Sequence, residues 1–252
     1  MQITEDVKEY WDKRSEGFSS SVKEEADHLG ESEAKRIIEE TGVKRGSKIL
    51  DIGCGPGFFT MILTKYGMEV TGIDYSDDML LQAKANAESK GIAASFYKMD
   101  ASDLSFEDES FDLIVSRNVI WNLERPEKAY SEILRVLRPG CKAYVSDGNY
   151  YLHLFDDEYK RARESRPVLK KKEETFGSHE KYRGDVDFSV MERLAENLPL
   201  SRELRPAWDI KVLQGLPCSK VDISFHHHSS THDDQTLVMG FNIIITKESK
   251  HV

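Results

Sequence analysis

The stretch KILDIGCGPGFFT, residues 48–60, decides the fold. Its apolar first half is typical of a buried parallel strand, and a helical pattern of apolar residues begins at Phe58. Between them, Gly53, Gly55 and Gly57 predict a tight turn that leaves bare main chain facing a ligand at the strand end. The N–H groups in the first turn of the following helix favour a carboxylate or phosphate at the same place.

A carboxylate stands at the end of the next predicted strand, residues 69–73. There, Asp74 can accept hydrogen bonds from both hydroxyls of a ribose, which suits NAD and S-adenosylmethionine alike. The dinucleotide fingerprint is G-x-G-x-x-G, whereas residues 53–57 read G-x-G-x-G and follow the acidic Asp51. The glycine spacing therefore disfavours a nicotinamide site.

On these residues the sequence resembles the class I S-adenosylmethionine-dependent methyltransferases, in their small-molecule, type 11 or quinone-methylating branch. The resemblance is strong over residues 45–147, which include the run ILRVLRPG, and it adds a Y-W-x-x-R stretch from Tyr10 to Arg14. It implies a Rossmann-like α/β fold with a seven-stranded, mostly parallel sheet, an antiparallel last strand and helices on both faces. The implied cofactor is S-adenosyl-L-methionine, and the product is S-adenosyl-L-homocysteine.

The resemblance also assigns cofactor binding to two turns and to the carboxylate expected against the adenine amino group. The residues concerned are Asp51, Gly53, Gly55, Gly57, Asp74, Tyr75, Asp100, Ala101 and Arg117.

Hydrophobic periodicity predicts the remaining elements. Further strands are expected at residues 94–99, 111–116, 142–146, 220–225 and 236–246, and helices at 4–18, 31–41, from Ser76, from Pro126 and at 208–213. Helix starts at Ser76 and Pro126 follow from the capping preference of serine and the tolerance of proline in a first turn.

Acceptor-binding residues are expected at the carboxyl ends of the fourth and fifth strands, because ligands of open α/β sheets bind there. We expect substrate contacts from Tyr10, Arg14, Asn118, Trp121, Asn149 and Tyr150, and catalytic roles for Tyr10, Asn118 and His153. By resemblance, the N-terminal helix closes over cofactor and substrate, and Arg14 can hold a carboxylate in a fork. Asp147 is a further candidate base. Trp121 has a competing interpretation as a packing residue beneath the loop.

The domain division expected from the sequence is one methyltransferase domain over residues 1–252. Its parts are an N-terminal cap helix at 1–30, a cofactor-binding core at 45–150, a helical lid insertion at 154–206, and a final helix with strands six and seven at 207–252. The lid carries a basic run that fits an acidic substrate or RNA, although solvated helix faces have the same composition. The run is Lys160, Arg161, Arg163, Arg166, Lys170, Lys171 and Lys172.

Composition limits the partners and the cellular location that we expect for the protein. The formal net charge is −10, from 35 basic and 45 acidic residues, which argues against binding along nucleic acid or anionic membranes. Three scattered cysteines predict neither disulfides nor a zinc site, and with the charged N-terminus they favour a cytoplasmic protein. A loop expected at 226–235 holds four histidines, but we expect no functional metal. The expected assembly is a monomer or homodimer.

The favoured function is methyl transfer to a small-molecule acceptor by direct displacement. Alignment of nucleophile, methyl carbon and sulfur carries most of the acceleration, and only an alcohol or phenol acceptor needs a base. An RNA or protein methyltransferase that uses the basic run is the alternative, although the residues after the fourth strand, 116–119, lack the motif of amino-methylating nucleic-acid enzymes. A nicotinamide-dependent oxidoreductase is the third and disfavoured possibility.

Overall fold

The computed structural model describes residues 2–164, 181–182, 185–230 and 236–249. Seven strands form one sheet in the order β3-β2-β1-β4-β5-β7-β6. Strands β1 to β5 run parallel, and β7 lies antiparallel between β5 and β6. The strands are β1 Lys48–Ile52, β2 Glu69–Asp74, β3 Ser95–Lys98, β4 Phe111–Arg117, β5 Leu137–Gly148, β6 Cys218–Ser230 and β7 Thr236–Lys247. The predicted fold class is confirmed.

Eight α-helices are present in the described part of the chain, and local sequence explains several of their ends. Ser76 caps one helix, since its Oγ accepts from the Met79 N–H at 3.0 Å, and Pro126 occupies the first turn of another. The helices are α1 Gln2–His28, α2 Gly30–Thr41, α3 Phe58–Thr64, α4 Asp77–Ser89, α5 Pro126–Val136, α6 Asp157–Glu164, α7 Ser189–Ala195 and α8 Ala207–Leu213.

The strand order places a reversal point at β1. From β1 the chain moves outward through β2 to β3, then returns to add β4 and β5 on the other side. In such sheets a crevice opens where the order reverses, at the carboxyl ends of the strands. The glycine turn at residues 53–57 follows β1 and therefore lies at this crevice.

Two apolar cores cover the two faces of the sheet. Ile49 packs with α2 and α3 on one face, and Leu50 and Ile52 pack with α5 on the other. All three side chains are fully buried. Burial on both faces explains the continuous apolar run of β1. This packing holds β1 in place, and with it the crevice at its carboxyl end.

Helix α1 extends ten residues beyond the predicted end at residue 18. The added turns bury Val22 and Ala26 against α3, and Glu25 forms a 2.6 Å ion pair with Arg117. Because these partners lie far away in the chain, the polar composition of the segment gave no sign of the continuation.

The prediction of a loop at residues 226–235 is wrong for its first half, residues 226–230. Strand β6 continues through Ser230, because main-chain pairing with β7 persists as far as the partners Ser230 and Thr236. Residues 231–235 lie outside the described residues. Within the described ranges, no group of three or more His, Cys, Asp or Glu side chains is arranged to hold a metal.

The described part of the segment expected as a lid contains α6, α7 and a short 3₁₀ turn at Pro199–Arg202. Of the predicted basic run, Arg166 and residues 170–172 lie outside the described residues. None of the described helices has the length and apolar character needed to cross a bilayer.

Candidate active site

A cavity of about 650 Å³ opens at the carboxyl ends of the parallel strands, beneath α1. This volume lies within the range of about 300–1,000 Å³ typical of small-molecule sites. One end, which we call the cofactor end, is formed by Gly53, Gly55, Asp74 and Asp100 with their neighbours. The other end, the acceptor end, is lined by α1, the strand ends of β4 and β5, and α7. Its lining includes Tyr10, Trp11, Arg14, Asn118, Trp121, Tyr150, Tyr151, His153, Phe188, Met191 and Glu192.

The glycine turn forms a main-chain cradle at the cofactor end. Gly53 has φ +61°, and a Cβ there would lie 2.3 Å from Val119 Cγ2, so a side chain would push the loop after β4 away. Gly55, with φ +50°, lines the cavity directly. Glycine tolerates positive φ and close approach, so the backbone at both positions is accessible to a ligand.

Asp74 ties the cradle to the second strand. Its Oδ2 accepts from the Gly55 N–H and its Oδ1 from the Ser76 N–H, both at 2.9 Å. Burial raises the pKa of this carboxyl above its ordinary value, so hydroxyl donors from a ligand would stabilise its ionised form. Tyr75 beside it donates to Glu5 Oε1 on α1 at 2.6 Å.

The third strand supplies a second carboxylate at the cofactor end. Asp100 Oδ1 accepts from the Ser102 N–H at 2.7 Å, and its Oδ2 accepts from Arg125 at 2.9 Å. Burial opposes ionisation of Asp100, but these hydrogen bonds hold its pKa below the ordinary value. Ala101 is buried beside it and also lines the cavity.

Helix α1 covers the cavity and is tied to both ends by polar contacts. Asp12 accepts from the Ser76 hydroxyl next to the cofactor end. Arg117 pairs with Glu25 and lies 4.4 Å from the centroid of the Phe58 ring. Arg117 thus lines the cavity while its guanidinium is engaged by α1.

Tyr10 and Arg14 lie on the cavity side of α1, as expected from the sequence. Both side chains are buried, with exposures of 7% and 2%. The guanidinium of Arg14 lies 4.6 Å from the centroid of the Phe188 ring, and the Tyr10 ring meets Trp11 edge to face. The acceptor end therefore combines aromatic walls with a buried cation, a combination that accommodates a planar anionic compound.

The loop after β4 is fixed by its own side chains. Trp121 Nε1 donates to the Asn118 carbonyl at 2.9 Å, and the Tyr150 hydroxyl donates to Asn118 Oδ1. The Trp121 ring lies 5.6 Å from that of Tyr150 and 5.2 Å from that of Tyr151. Trp121 belongs to a buried apolar cluster and also lines the cavity, so both interpretations of this residue apply.

His153 lies on a short 3₁₀ turn after β5, with ring nitrogens close to two oxygens. Its Nδ1 is 3.2 Å from the Tyr150 carbonyl oxygen, and its Nε2 is 3.1 Å from Glu192 Oε1. Arg163 contacts the same ring and pairs with Glu192 at 3.0 Å. Burial lowers the pKa of His153 and Arg163 lowers it further, outweighing the opposite effect of Glu192.

Two residues expected in the cleft are turned away from it. Asn149 is buried, and its side chain bonds main-chain atoms of Arg205 and Val238. Asp147 forms a 2.7 Å ion pair with Arg205, which also binds Asp209 at 2.6 Å. The structure therefore contradicts a substrate-binding role for Asn149 and leaves Asp147 no access to the cavity as a base.

Two residues of the opening stretch also lie behind the main cavity. Gly57 faces α4, because a Cβ added at Gly57 would lie 3.7 Å from the Cβ of Ala83. Asp51 lines a small recess behind the glycine turn and accepts hydrogen bonds from the N–H and hydroxyl of Thr60. Burial raises the pKa of Asp51 to about 7. Both residues shape the cradle from the rear.

The sequence did not identify the contribution of α7. Phe188, Met191 and Glu192 line the acceptor end, yet they lie in a charged segment without a recognisable motif. Trp11 also lines the cavity and could have been found, because it belongs to the Y-W-x-x-R stretch. Glu192 is separated from His153 by 39 residues, so only the fold brings them together.

Comparison with known proteins agrees with this geometry. Residues 50–145 match the family described as "Methyltransferase domain". The chain is 33% identical over 119 residues to a phosphatidylethanolamine N-methyltransferase of Cereibacter sphaeroides, covering 46% of this chain and 58% of that protein. It is 26% identical over 145 residues to a ubiquinone biosynthesis O-methyltransferase of Coxiella burnetii, covering 58% and 62%. The match thus spans about three fifths of each of these curated relatives.

Solved structures of similar fold come from archaea and bacteria. A SAM-dependent methyltransferase from Methanosarcina mazei superposes with a TM-score of 0.57 at 23% identity, over 85% of this chain and 98% of that one. One from Aquifex aeolicus gives 0.54 at 18% identity, over 91% and 98%. These likenesses establish the fold.

The fold and the glycine cradle are those of a class I, Rossmann-like methyltransferase domain. Residues 50–145 match the methyltransferase domain family, and the cofactor that this match supports is S-adenosylmethionine. The residues present fit that group, because a glycine cradle and two acidic strand ends border a cavity of sufficient size.

Proposed function

We propose that the protein transfers a methyl group from S-adenosylmethionine to a small-molecule acceptor bound at the acceptor end. The proposal rests on one continuous cavity, which joins the glycine cradle to the aromatic-lined acceptor end. When bound, the cofactor supplies a sulfonium methyl with a good leaving group. The protein then has to orient the acceptor and exclude water.

We assign binding of the adenosyl part to the cofactor end. Asp74 is positioned by two main-chain N–H groups, and a ribose diol would add donors to the same carboxylate. Asp100 and Ala101 would border the base, and Tyr75 would lie between them and α1. Gly53 and Gly55 would allow the ligand to approach main chain directly.

We assign binding of the acceptor to the buried residues of α1 and of the loop after β4. Arg14 would hold an anionic group of the acceptor, while Tyr10 and Trp121 would enclose its planar part. Because α1 and α7 pack together over these side chains, they would limit the access of water to the reacting atoms. The segment at 154–206 would serve as the lid through its described helix α7.

We assign proton acceptance to His153. Each ring nitrogen lies beside an oxygen that can only accept, the Tyr150 carbonyl at Nδ1 and Glu192 Oε1 at Nε2, so the neutral ring donates to one of them and its other nitrogen is basic. The lowered pKa keeps the ring neutral at pH 7. After proton uptake, both N–H groups would face these oxygens, which would stabilise the charged product of the transfer.

Two experiments test the proposal. Isothermal titration should detect binding of S-adenosylhomocysteine and no binding of NADH; the reverse result would favour the oxidoreductase. A panel of amines, thiols, phenols and carboxylates, assayed for S-adenosylhomocysteine release, should then identify a small-molecule acceptor.

The RNA or protein alternative is separated by the same assay. Activity on total tRNA or cell protein that falls steeply with salt would support it, because phosphate contacts are salt-dependent. The small aromatic-lined cavity disfavours it, and Arg163 of the basic run is engaged by Glu192.

A further inference from the structure

Asn118 is held at the acceptor end by main-chain contacts on both sides. Its N–H donates to the Ser146 carbonyl, and its own carbonyl accepts from Trp121 Nε1, each at 2.9 Å. Its φ of +58° lies in the left-handed region, which asparagine adopts more readily than most residues. These two hydrogen bonds therefore fix the backbone of Asn118, and with it the origin of its side chain, at the end of β4.

The Tyr150 hydroxyl is bonded to the oxygen side of the Asn118 amide. That hydroxyl donates to Oδ1, and the phenol is protonated at neutral pH, since even an unperturbed tyrosine has a pKa of about 10. Among the described residues, no hydrogen-bond acceptor is bonded to the Asn118 Nδ2 group, and Asn118 lines the cavity. Because the amide oxygen is occupied, the group that Asn118 offers to a bound methyl acceptor is N–H.

An N–H donor at this position discriminates between acceptor atoms. A hydroxyl oxygen has lone pairs that accept from the amide while its own proton is donated elsewhere. An amine nitrogen has a single lone pair, which must point at the methyl carbon, so only its N–H donors remain to face the amide N–H, and that donor–donor contact leaves both groups without a partner. His153 lines the same cavity and can take the proton of a hydroxyl.

Building on the proposed function, we propose that the methylated atom is the hydroxyl oxygen of a small phenol- or enol-type compound. Tyr150 is the positioning residue that makes Asn118 select oxygen over nitrogen. The hydroxyl proton passes to His153, and an oxygen lone pair forms the bond to the methyl carbon. The carbon–sulfur bond breaks with its electron pair going to sulfur. The products are a methyl ether, S-adenosylhomocysteine and a protonated imidazole that releases its proton to solvent.

Matched probes that differ only at the acceptor atom test this inference. We would measure the affinity of phenol and aniline, catechol and 1,2-diaminobenzene, and 4-hydroxybenzoate and 4-aminobenzoate for the protein saturated with S-adenosylhomocysteine. The hydroxyl member of at least one pair should bind about tenfold tighter than its amine, as expected for one satisfied against one unsatisfied hydrogen bond. Equal or tighter binding of the amines, or no binding of any probe, would overturn the inference.

Two variants separate positioning from general damage. Tyr150→Phe keeps the ring against Trp121 but frees the amide oxygen, so the preference should fall to about threefold or less. Asn118→Asp offers oxygen in place of N–H, and a carboxylate accepts from a hydroxyl as well as from an amine, so the preference that depends on the N–H should be lost. The matched control Tyr97→Phe, on the exposed surface of β3, should leave the preference unchanged.

Affinity for S-adenosylhomocysteine should stay within about twofold in all three variants, a margin smaller than one typical hydrogen bond. A preference unchanged in Tyr150→Phe would refute the positioning role. Failure of wild-type protein to bind S-adenosylhomocysteine would instead refute the proposed function, so the two failures are distinguishable.

Discussion

The two ends of the cavity are built by different means. The cofactor end uses main chain and carboxylates from one continuous stretch, residues 51–102, in which each strand is followed by its own binding turn. The acceptor end collects side chains from α1, the loop after β4, the turn after β5 and α7. A local motif therefore fixes the first end, whereas long-range packing fixes the second. Changes at the acceptor end should alter turnover and leave cofactor affinity intact.

The largest expected effect concerns His153, at the acceptor end. His153→Gln should lower turnover of a hydroxyl acceptor about 10²–10⁴-fold, because the proton acceptor is lost, while S-adenosylhomocysteine affinity is retained. In wild-type protein, kcat/KM should be flat at neutral pH and fall with acidity through a pKa below the ordinary 6.5, since the protonated ring cannot accept.

Glu192→Gln is the matched variant for His153. It removes the charge that raises the His153 pKa, so the acid limb should move to still lower pH. An acid limb that does not move would show that Glu192 has no electrical influence on the ring.

A slightly smaller effect is expected from the scaffold beneath the acceptor end. Arg205→Met leaves Asp147 and Asp209 buried without their cation and should lower the free energy of unfolding by about 3–5 kcal/mol in urea denaturation. The control Arg202→Met removes an exposed guanidinium over Phe155 and should cost much less. Equal effects would mean that the buried cluster is not a special source of stability.

The cofactor end should respond in affinity. Asp74→Ala removes charge-assisted hydrogen bonds worth about 1.5–3 kcal/mol each, so S-adenosylhomocysteine should bind at least about tenfold more weakly in calorimetry. Asp78→Ala, an exposed change four residues away in α4, is the control and should bind normally. Unchanged affinity in Asp74→Ala would exclude Asp74 from the site.

The smallest expected effect is that of Tyr10→Phe. Loss of one hydroxyl at the acceptor end should lower turnover about 2–10-fold and spare cofactor binding. Tyr66→Phe, outside the cavity, controls for unspecific effects. Equal loss of cofactor binding and turnover would indicate structural damage, and would weaken the distinction between the two ends.

The sequence predicted the cofactor half well because its information is local. Strands β1 to β4 lie within a residue or so of their expected bounds, since apolar runs and capping residues act over a few positions. Asp74 was predicted from its place at the end of a parallel strand, whereas Asp100 was predicted from the resemblance to the methyltransferases.

The acceptor half was predicted only in part. Asn149 stands at the carboxyl end of β5 as Asp74 stands at that of β2, yet its side chain bonds to Arg205, 56 residues further along the chain. Glu192 was missed for the same reason, because its partner His153 becomes a neighbour only after α7 packs against α1. Hydrophobic periodicity carries no information about such contacts between residues that are distant in the sequence.

The attachment of α1 has a consequence for the catalytic cycle. The helix covers both ends of the cavity and is held by contacts such as Asp12 to Ser76 and Glu25 to Arg117, none of which touches the reacting atoms. If ligands exchange as this cover lifts, these pairs should influence the residence time of spent cofactor. Substitutions that weaken these contacts should then increase the rate of product release and lower the affinity for substrate.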